Sequence, residues 1–433
     1  MAVGVVGAGI TGLALTHYLR ERGVSVVTLE AREEAGGVIQ SRQRGGHVVE
    51  LGPQRMRATP GIRELASAAG VERDIVTAAD GSLFVFSRGQ LREAPTDVEP
   101  FLRTDLLSWP EKLRFLAEPL TQEAQPQETV ADVFARKFGR RAYERFIGPL
   151  YGGLYASNPS EMPAKFALEG LMRREREAGS LLSAFRERIG SGEKSPPASF
   201  PEGLQTLPEA LAATYEEYVH LGEPVEAIDP NLAGYTLETP TDSYEVGDVV
   251  VTTPADVTAD LLDGIADGTD ALADLTYNPL ALVYLRADAL PEGLGYQVAY
   301  DEDLHTLGVS FNGAMFDRDG LCTVFLGGMH DPEILAEPDD RLGDIATAEF
   351  ERATGHSASA VDIERRERWF PAYDQTWWGL EDVSMPDDVH LATNYTARMG
   401  IPSRVREARE LADELAAADS SAGSPTEADA YSV

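Results

Sequence analysis

The sequence predicts a two-lobed protein of mixed α/β and α+β class, and three observations lead to this prediction. Its first residues read as strand, glycine turn, helix and strand, the order of a parallel Rossmann-like unit. Residues 275–330 contain tyrosines, valines and phenylalanines in strand-like alternation, whereas residues 105–190 carry helical patterns interrupted by prolines. A chain of 433 residues is also too long for one compact core.

The glycine turn near the N-terminus has the spacing of a dinucleotide-binding loop. Gly7-Ala8-Gly9-Ile10-Thr11-Gly12 reads G-x-G-x-x-G between a predicted strand and a predicted helix, the context that gives this hexapeptide meaning. Gly9 lets the backbone approach a pyrophosphate, and Gly12 allows close packing of helix and strand. Glu30 ends the second apolar run, where a carboxylate accepts hydrogen bonds from the ribose hydroxyls and repels a 2′-phosphate. The pattern predicts a dinucleotide with an unphosphorylated ribose.

Two segments that follow resemble the flavin amine oxidase superfamily. Glu30-Ala31-Arg32-Glu33-Glu34-Ala35-Gly36-Gly37-Val38 has its acid-then-Gly-Gly signature. Glu50-Leu51-Gly52-Pro53, continued by Gln54-Arg55, resembles the segment that this superfamily lays against the flavin ring. The resemblance implies FAD as the cofactor. We expect it to be non-covalent, because no cysteine or histidine stands at a flavin-linking position.

Distal segments resemble further FAD-contacting parts of the same superfamily. Pro224-Val225-Glu226 and the stretch ending in Thr252-Thr253-Pro254 are similar to its second FAD-binding unit. Asn394-Tyr395 followed by Met399-Gly400-Ile401-Pro402 is similar to its last flavin segment, in which a helix N-terminus faces the N1–C2 carbonyl edge. Thr393 stands where a glycine is usual. The implied cofactor contacts in this half are Val225, Thr253, Trp369, Asn394, Gly400, Ile401 and Pro402.

Within the superfamily, the sequence resembles protoporphyrinogen and coproporphyrinogen oxidases from about residue 1 to 415. The segments that carry this resemblance are Gly52-Pro53-Gln54-Arg55-Met56-Arg57, Pro149-Leu150-Tyr151-Gly152-Gly153-Leu154-Tyr155-Ala156-Ser157-Asn158-Pro159, Gly293-Leu294-Gly295-Tyr296-Gln297-Val298 and Thr323-Val324-Phe325-Leu326-Gly327-Gly328. The fold that it implies is a two-lobed FAD-dependent oxidase. Its parts are an FAD-binding domain (1–75, 200–265 and 365–417), a substrate-binding β domain (76–104 and 266–364) and a helical subdomain (105–190). Residues 418–433 lack the apolar content to pack, and we expect them to be disordered.

The function that this resemblance implies is oxidation of a porphyrinogen by hydride transfer to flavin N5, in porphyrin and heme biosynthesis, with O2 as a candidate electron acceptor. We expect no catalytic side chain, because the pyrrole nitrogens can release the protons. Relatives place a propionate-binding arginine where Leu83 stands here. Arg57 and Arg88 are the candidates to replace it, and Leu294, Gly295 and Phe325 are the other predicted substrate contacts.

Other functions remain open on the sequence. An amine oxidase typically has a lysine near the flavin and an aromatic pair, which Trp377-Trp378 could supply, and a carotenoid desaturase belongs to the same superfamily. A non-catalytic FAD-binding redox protein is a second class. The four lysines, Lys112, Lys137, Lys165 and Lys194, all lie outside the predicted substrate strands. This position disfavours an amine oxidase.

The charge of the chain is strongly acidic. Asp and Glu number 72 against 37 Lys and Arg, a formal charge of −35. An acidic, lysine-poor surface is typical of halophilic proteins, whose self-repulsion concentrated salt screens. The alternative is an acidic protein that binds a basic partner. Nucleic acid is excluded as a favourable partner, and we expect at most weak peripheral contact with a membrane, through the helical region.

Metal and disulfide chemistry are disfavoured by the composition. Cys322 is the single cysteine, and the seven histidines are scattered, so we predict no metal site and no disulfide. No basic leader precedes the first apolar run, and no apolar run approaches the roughly 20 residues of a membrane span. We therefore expect a cytoplasmic protein.

Overall fold

The computed structural model describes residues 1–78, 81–95, 98–184, 195–396 and 399–422. These residues form two lobes, each built on one large sheet. The first sheet is parallel, with the spatial order Val219–Leu221, Val26–Glu30, Val3–Val6, Asp248–Val251 and Val389–Leu391. Because all five strands are parallel, their carboxyl ends lie at the same edge of the sheet.

The parallel sheet is buried on both faces, as its nearly continuous apolar strands require. Val3 and Val5 face the helices Ile10–Glu21 and Ile401–Ala422, which contribute Leu13 and Val405 to the same core. The alternate residues, such as Val6, face a three-stranded antiparallel sheet. The strands of this small sheet are Ala227–Asn231, Gly234–Glu238 and Ser243–Val246.

The second large sheet has seven strands and is mainly antiparallel. Its spatial order is Ala358–Arg366, Leu280–Ala287, Leu321–Gly327, Thr306–Ser310, Gly295–Val298, Leu83–Ser87 and Gln90–Glu93. Residues such as Val283 and Val324 pack against the helix Asp339–Thr354 on one face. Alternate residues such as Leu282 and Phe325 pack on the other face beside Leu51 of the first lobe. We call this second face the inner face of the sheet.

A helical segment covers the far part of the inner face, where Val85 joins its core. The fully buried Lys137 stabilises this segment, with its Nζ 3.2 Å from Glu118 Oε1 and in contact with Glu175. The helices of this segment are Val98–Arg103, Trp109–Leu116, Glu118–Leu120, Val130–Phe138, Arg140–Ala142, Tyr143–Ile147, Gly148–Tyr155, Ala164–Ala167 and Glu169–Ala178.

Short elements connect the two lobes. The hairpin Ser41–Arg44 and His47–Glu50 and the small sheet of Met56–Arg57, Pro197–Ser199 and Val76–Thr77 lie between the large sheets along the chain. The remaining helices are Pro60–Ala68, Glu72–Asp74, Thr206–Thr214, Ala255–Leu261, Asp270–Ala273, Asn312–Phe316, Pro332–Ala336 and Gln375–Asp382.

The fold confirms the predicted mixed class, and one sequence prediction is wrong. The last helix runs to Ala422, so residues 418–422 are helical rather than disordered. Alanines 416–418 favour helix strongly, and they follow a helix face that is already packed at Leu415. Residues 423–433, and 185–190 of the predicted helical subdomain, lie outside the described residues. The domain boundaries stay a prediction. Among the described helices, none is both long and apolar enough to cross a membrane.

Candidate functional site

Two glycines face each other at the carboxyl edge of the parallel sheet and leave an open cradle. Gly9 stands just before the helix Ile10–Glu21 and forms a bridge with Gly36. A Cβ added at Gly9 would meet the Gly37 Cα at 3.9 Å, in ordinary contact. The space beside both residues is therefore free of side chains and lies at a helix N-terminus, where backbone N–H groups favour an anion. These residues fit the pyrophosphate of a dinucleotide.

Gly12 has a different role from Gly9. A Cβ on Gly12 would lie 2.0 Å from the carbonyl oxygen of Gly7, a distance that no side chain can tolerate. The strand ending at Val6 and the helix beginning at Ile10 are thus packed so closely that only glycine fits between them. Gly12 sets the geometry of the turn, and Gly9 keeps its outer surface open.

Glu30 presents its carboxylate at the same edge. The side chain is buried, with Oε2 accepting from the Ala8 N–H at 2.8 Å and Oε1 from the Arg32 N–H at 3.1 Å. Each oxygen retains capacity to accept a further hydrogen bond, as from a ribose hydroxyl. The backbone of Glu223 bonds to the Glu30 carbonyl at 2.9 Å, which brings the segment leading to Val225 beside this carboxylate.

The other half of the edge is formed by the ends of two more strands. Thr252 follows Asp248–Val251, and its hydroxyl donates to the Val6 carbonyl at 2.9 Å. Tyr395 follows Val389–Leu391, and its hydroxyl donates to the Thr253 carbonyl at 3.2 Å. Arg404, in the first turn of the last helix, contacts the Thr393 carbonyl, so this helix also begins at the edge. The structure therefore brings Thr253, Asn394, Gly400, Ile401 and Pro402 to the side of the sheet that carries Gly9 and Glu30.

The turn 52–55 is held between the lobes by a buried network around Gln54. Its Nε2 donates to the carbonyls of Glu50 and Gly52 at 3.1 and 2.9 Å. Its Oε1 accepts from Asn312 Nδ2 at 3.0 Å and from Thr323 Oγ1 at 2.9 Å. Because Thr323 lies on the inner face of the seven-stranded sheet, this network fixes the predicted flavin-facing turn against that face.

A buried ion pair fixes the strand that leads into this turn. Glu50 Oε1 lies 2.8 Å from Arg318 Nη2, and both side chains are buried. The Glu50 carboxylate also accepts from Ser41 Oγ at 2.5 Å and from the Leu204 N–H at 3.1 Å. Burial raises the pKa of Glu50, and Arg318 and these donors oppose the rise. The pair joins three segments that are distant in the sequence.

Two predicted substrate residues, Gly295 and Phe325, belong to the seven-stranded sheet, and a third, Leu294, lies just before one of its strands. Gly295 pairs with Leu83 on one side and Ser310 on the other, and Leu294 is buried just before it. Phe325 is half-buried on the inner face, in the cluster that also contains Leu51 and Trp369. The sheet thus places Gly295 and Phe325 beside the first lobe. Their contact with a substrate stays a prediction.

The two predicted substrate arginines lie elsewhere. Arg57 is exposed, and its Nη1 donates to the Ser195 carbonyl at 2.9 Å. Arg88 is exposed in the hairpin turn, 3.7 Å from a carboxylate oxygen of Asp105. Since Leu83 pairs with Gly295 and Arg88 comes five residues later, a strand rise of about 3.3 Å per residue separates them by roughly 16 Å. The structure does not bring Arg88 together with Gly295.

Arg55, predicted as a cofactor contact, is the arginine that reaches the inner face. Its Nη1 donates to Ser310 Oγ at 3.4 Å. Burial, and the charge of Arg57, lower the pKa of Arg55 to about 10, although its side chain is partly accessible. Partial accessibility together with loss of hydration indicates a side chain within a cleft. The other predicted cofactor residues lie along the carboxyl edge of the parallel sheet, or in or beside the turn 52–55. They are Gly7, Ile10, Thr11, Ala31, Arg32, Val38, Gly52, Pro53 and Trp369.

Sequence reasoning missed the residues that hold these segments. Asn312, Thr323 and Arg318 carry the two networks described above. Asn278 is buried and donates from Nδ2 to the Tyr155 carbonyl at 2.9 Å and to Ser157 Oγ at 3.1 Å. A polar residue inside or beside an apolar strand run, as in Leu321–Gly327, is the signal that could have indicated Thr323.

The prediction of no metal site remains a prediction. In the described part of the chain, His17, Glu21 and Glu64 offer ligand atoms within 4.8 Å of one another. His17 Nδ1 already lies 2.6 Å from the Tyr215 hydroxyl, and Glu64 forms an ion pair with Arg409. The group has other bonding partners and is not assigned to a metal.

A parallel sheet with an open glycine cradle and a buried carboxylate at its carboxyl edge, facing a second sheet across one turn, is the arrangement expected of an FAD-dependent oxidase. The family model described as "Flavin containing amine oxidoreductase" matches residues 10–416. The chain belongs to this family.

Curated relatives have porphyrinogen oxidase names. The chloroplastic protoporphyrinogen oxidase of Nicotiana tabacum is 26% identical over 389 residues, covering 80% of this chain and 71% of its own. The coproporphyrinogen III oxidase of Mycobacterium tuberculosis is 25% identical over 431 residues, which cover 93% of this chain and 94% of that protein. The coproporphyrinogen III oxidase of Staphylococcus aureus is 31% identical over 234 residues, which cover 48% of this chain and 50% of that protein.

Solved structures share the fold. A protein of Exiguobacterium sp. 255-15 has a TM-score of 0.76 at 22% identity, over 96% of this chain and 99% of its own. A variant of putrescine oxidase has a TM-score of 0.72 at 17% identity, over 96% and 99%. At these identities the structures show the fold alone.

Proposed function

We propose that this protein oxidises a porphyrinogen, protoporphyrinogen IX or coproporphyrinogen III, to the corresponding porphyrin in heme biosynthesis. One structural observation carries the proposal. Gly295 and Ser310 pair on the inner face of the seven-stranded sheet, and Ser310 lies within hydrogen-bonding distance of Arg55 in the turn 52–55, so the sheet meets this turn at small residues. A flat macrocycle can lie against such a surface, with Phe325 as an apolar neighbour. The names of the curated relatives support the same substrate class.

FAD, when bound, would supply a hydride acceptor for the methylene bridge of the substrate. The residues of the chain position the reactants. The cradle of Gly9 and Gly37 and the carboxylate of Glu30 hold the nucleotide, and the Gln54 network holds the turn 52–55 against the inner face. A proton leaves a pyrrole nitrogen of the substrate to water, so no side chain needs to act as a base. Three such two-electron oxidations convert the porphyrinogen to the porphyrin, and we propose that O2 reoxidises FAD each time, so that three molecules of hydrogen peroxide form for each porphyrin.

An amine oxidase is a weaker alternative. The three described lysines all lie on helices of the helical segment, Lys112 in Trp109–Leu116, Lys137 in Val130–Phe138 and Lys165 in Ala164–Ala167. Trp377 is buried, donates to the Ala372 carbonyl at 2.7 Å and stacks on Tyr373 with ring centroids 4.2 Å apart. These contacts give Trp377 a place in the core.

The test is turnover by the FAD-loaded protein in concentrated KCl and air. Each porphyrinogen is supplied in turn, and porphyrin fluorescence and hydrogen peroxide are followed, with benzylamine and putrescine as amine substrates. We expect porphyrin from at least one porphyrinogen, hydrogen peroxide with it, and no turnover of the amines. Oxidation of an amine alone would indicate an amine oxidase, and FAD binding with no turnover a redox protein that is not an enzyme.

We also propose that the protein works in the cytoplasm with at most weak peripheral membrane contact. An exposed apolar patch, in which Trp109 is 65%, Leu113 66% and Leu120 89% exposed, lies on the helical segment and also includes Leu102 and Leu116. A protein of charge −35 is repelled by anionic lipids. In flotation with anionic vesicles we expect a minor floating fraction, reduced further in Leu113→Ser. A mainly floating protein would contradict weak contact.

A further inference from the structure

Among the residues that the structure describes, no carboxylate pairs with the Arg55 guanidinium. Its Nη1 donates to Ser310 Oγ at 3.4 Å, at the upper limit of hydrogen bonding. Among the described residues, Arg57 is the one charged group that shifts its pKa, and Arg57 repels it. The guanidinium is still charged at neutral pH. It is therefore desolvated without the compensation that a carboxylate would provide.

This situation is unusual in so acidic a chain. Acidic residues outnumber basic ones 72 to 37, and three other arginines with well-covered side chains pair with carboxylates. Arg92 lies 2.9 Å from Asp105, Arg136 lies 2.7 Å from Glu128, and Arg318 lies 2.8 Å from Glu50. A half-buried arginine left unpaired here leaves an anion-binding position for a ligand.

The position of Arg55 indicates which ligand. Ser310, its bonding partner, pairs directly with Gly295, and Gly308 lies two residues before Ser310 on the same face. Because paired residues and residues two apart share a face, Arg55 borders the inner face of the sheet at the Gly295–Ser310 pair, next to Gly308, which the Gln297 side chain covers. The pyrophosphate cradle lies on another element, between Gly9 and Gly37.

We infer that Arg55 binds a carboxylate of the substrate where the turn 52–55 meets Ser310 and Gly295. The inference rests on the proposed function, because porphyrinogens carry propionate carboxylates at the rim of the macrocycle. A guanidinium can hold a carboxylate through two parallel hydrogen bonds, which an ammonium cannot reproduce. Arg55 is thus a substrate-binding and specificity-determining residue, in preference to Arg57 and Arg88.

The first measurement compares single arginine variants of the FAD-loaded protein. Arg55→Gln is expected to raise the KM for the oxidised porphyrinogen about ten- to a hundred-fold, since a charge-assisted pair contributes roughly 1.5–3 kcal/mol. The ratio of FAD to protein should stay that of the wild type. Arg73→Gln, an exposed arginine distant from the site in the sequence, removes the same charge and should change neither value.

The second measurement tests the carboxylate itself and needs no turnover. Coproporphyrin III and its tetramethyl ester are titrated in the same detergent, and quenching of protein fluorescence gives each Kd. Wild type should bind the acid at least about ten-fold more tightly than the ester. Arg55→Gln should lose this preference, and Arg55→Lys should keep part of it.

The outcomes separate the inference from the proposed function. If wild type oxidises no porphyrinogen, the proposed function fails, and the titration still decides on Arg55. Equal binding of acid and ester by wild type, or an unchanged preference in Arg55→Gln, would overturn the inference. Loss of the preference in Arg57→Gln alone would assign the carboxylate to Arg57. Loss of FAD in Arg55→Gln would make Arg55 a cofactor contact.

Discussion

The two sides of this site are constructed in different ways. At the nucleotide side, Gly7, Gly9 and Gly12 lie within one turn, and backbone distances decide which of them must be glycine. At the side proposed to bind the substrate, which we call the substrate side, Gln54 contacts Asn312 and Thr323, residues more than 250 positions away in the chain. A site fixed by neighbouring backbone atoms leaves a motif in the sequence. A site fixed by side chains from distant strands leaves isolated polar residues that become meaningful only in the fold.

The largest effects are expected at the glycines of the nucleotide side. Gly12→Val would place a side chain 2.0 Å from the Gly7 carbonyl, so we expect no folded protein. Gly9→Val meets only ordinary contact in the chain, so the protein should fold, but the valine would occupy the pyrophosphate cradle. Circular dichroism and the ratio of non-covalent FAD to protein check both. Gly170→Val, on an open helix surface, is the control. Full FAD content in Gly9→Val would contradict the assignment of the cradle.

We expect concentrated salt to be required for the folded state that contains both sides of the site. We propose that the acidic surface is a halophilic adaptation, since a charge of −35 is poorly screened at 0.01 M salt, where the Debye length is roughly 30 Å. The midpoint of thermal unfolding should rise strongly from 0.1 M to 3 M KCl. An equimolar sucrose series at low salt controls for general solvent effects. A midpoint that does not move with KCl would count against this interpretation.

The ion pair between Glu50 and Arg318 should contribute to the stability of the substrate side. Arg318→Met leaves the buried Glu50 carboxylate without its partner, which typically costs about 3–5 kcal/mol of the free energy of unfolding. The double variant Glu50→Gln, Arg318→Met should recover part of this loss. Chemical denaturation in 3 M KCl measures the free energy of unfolding of both variants.

An exposed ion pair provides the control for this variant. Arg286 lies 3.3 Å from Asp319 at the surface, and Arg286→Met should cost less than about 1 kcal/mol. If Arg286→Met and Arg318→Met destabilise the protein equally, the buried pair has no special role in holding the strand before the turn 52–55.

A smaller effect is expected for the Gln54 network. Thr323→Val keeps the shape of the side chain but removes the hydroxyl that donates to Gln54 Oε1, a loss of about 1–3 kcal/mol. Thr236→Val, on a partly exposed strand of the small sheet, is the matched control, with less than about 0.5 kcal/mol expected. Denaturation curves of both variants measure the difference. No difference between them would mean that the network does not stabilise the turn.

Much of the nucleotide side could be predicted from the sequence. The strand Val26–Glu30 ends at the predicted acid, and the predicted glycine turn lies between the strand Val3–Val6 and the helix Ile10–Glu21. These features depend on periodicity and turn chemistry within short windows, which a sequence displays directly.

The substrate side could not be predicted in the same way. The sequence indicated Arg57 because it follows the predicted flavin-facing segment. In the structure, Arg57 lies in the short strand Met56–Arg57 and is exposed, whereas Arg55, just before this strand, contacts Ser310. Local spacing does not report which face of a short strand turns inward. The partner of Glu50 lies 268 residues away, and nothing in the local pattern connects the two.

The most direct test of the central claim is an anaerobic mixing experiment with the FAD-loaded protein. Coproporphyrinogen III, and separately protoporphyrinogen IX, is added at 3 M KCl at no more than one third of the FAD concentration, because forming the porphyrin removes six electrons and each FAD accepts two. The oxidised-flavin absorbance and porphyrin fluorescence are recorded together. The account predicts that the flavin absorbance falls while porphyrin forms, with at least one of the two substrates. A flavin that stays oxidised with both porphyrinogens would contradict it.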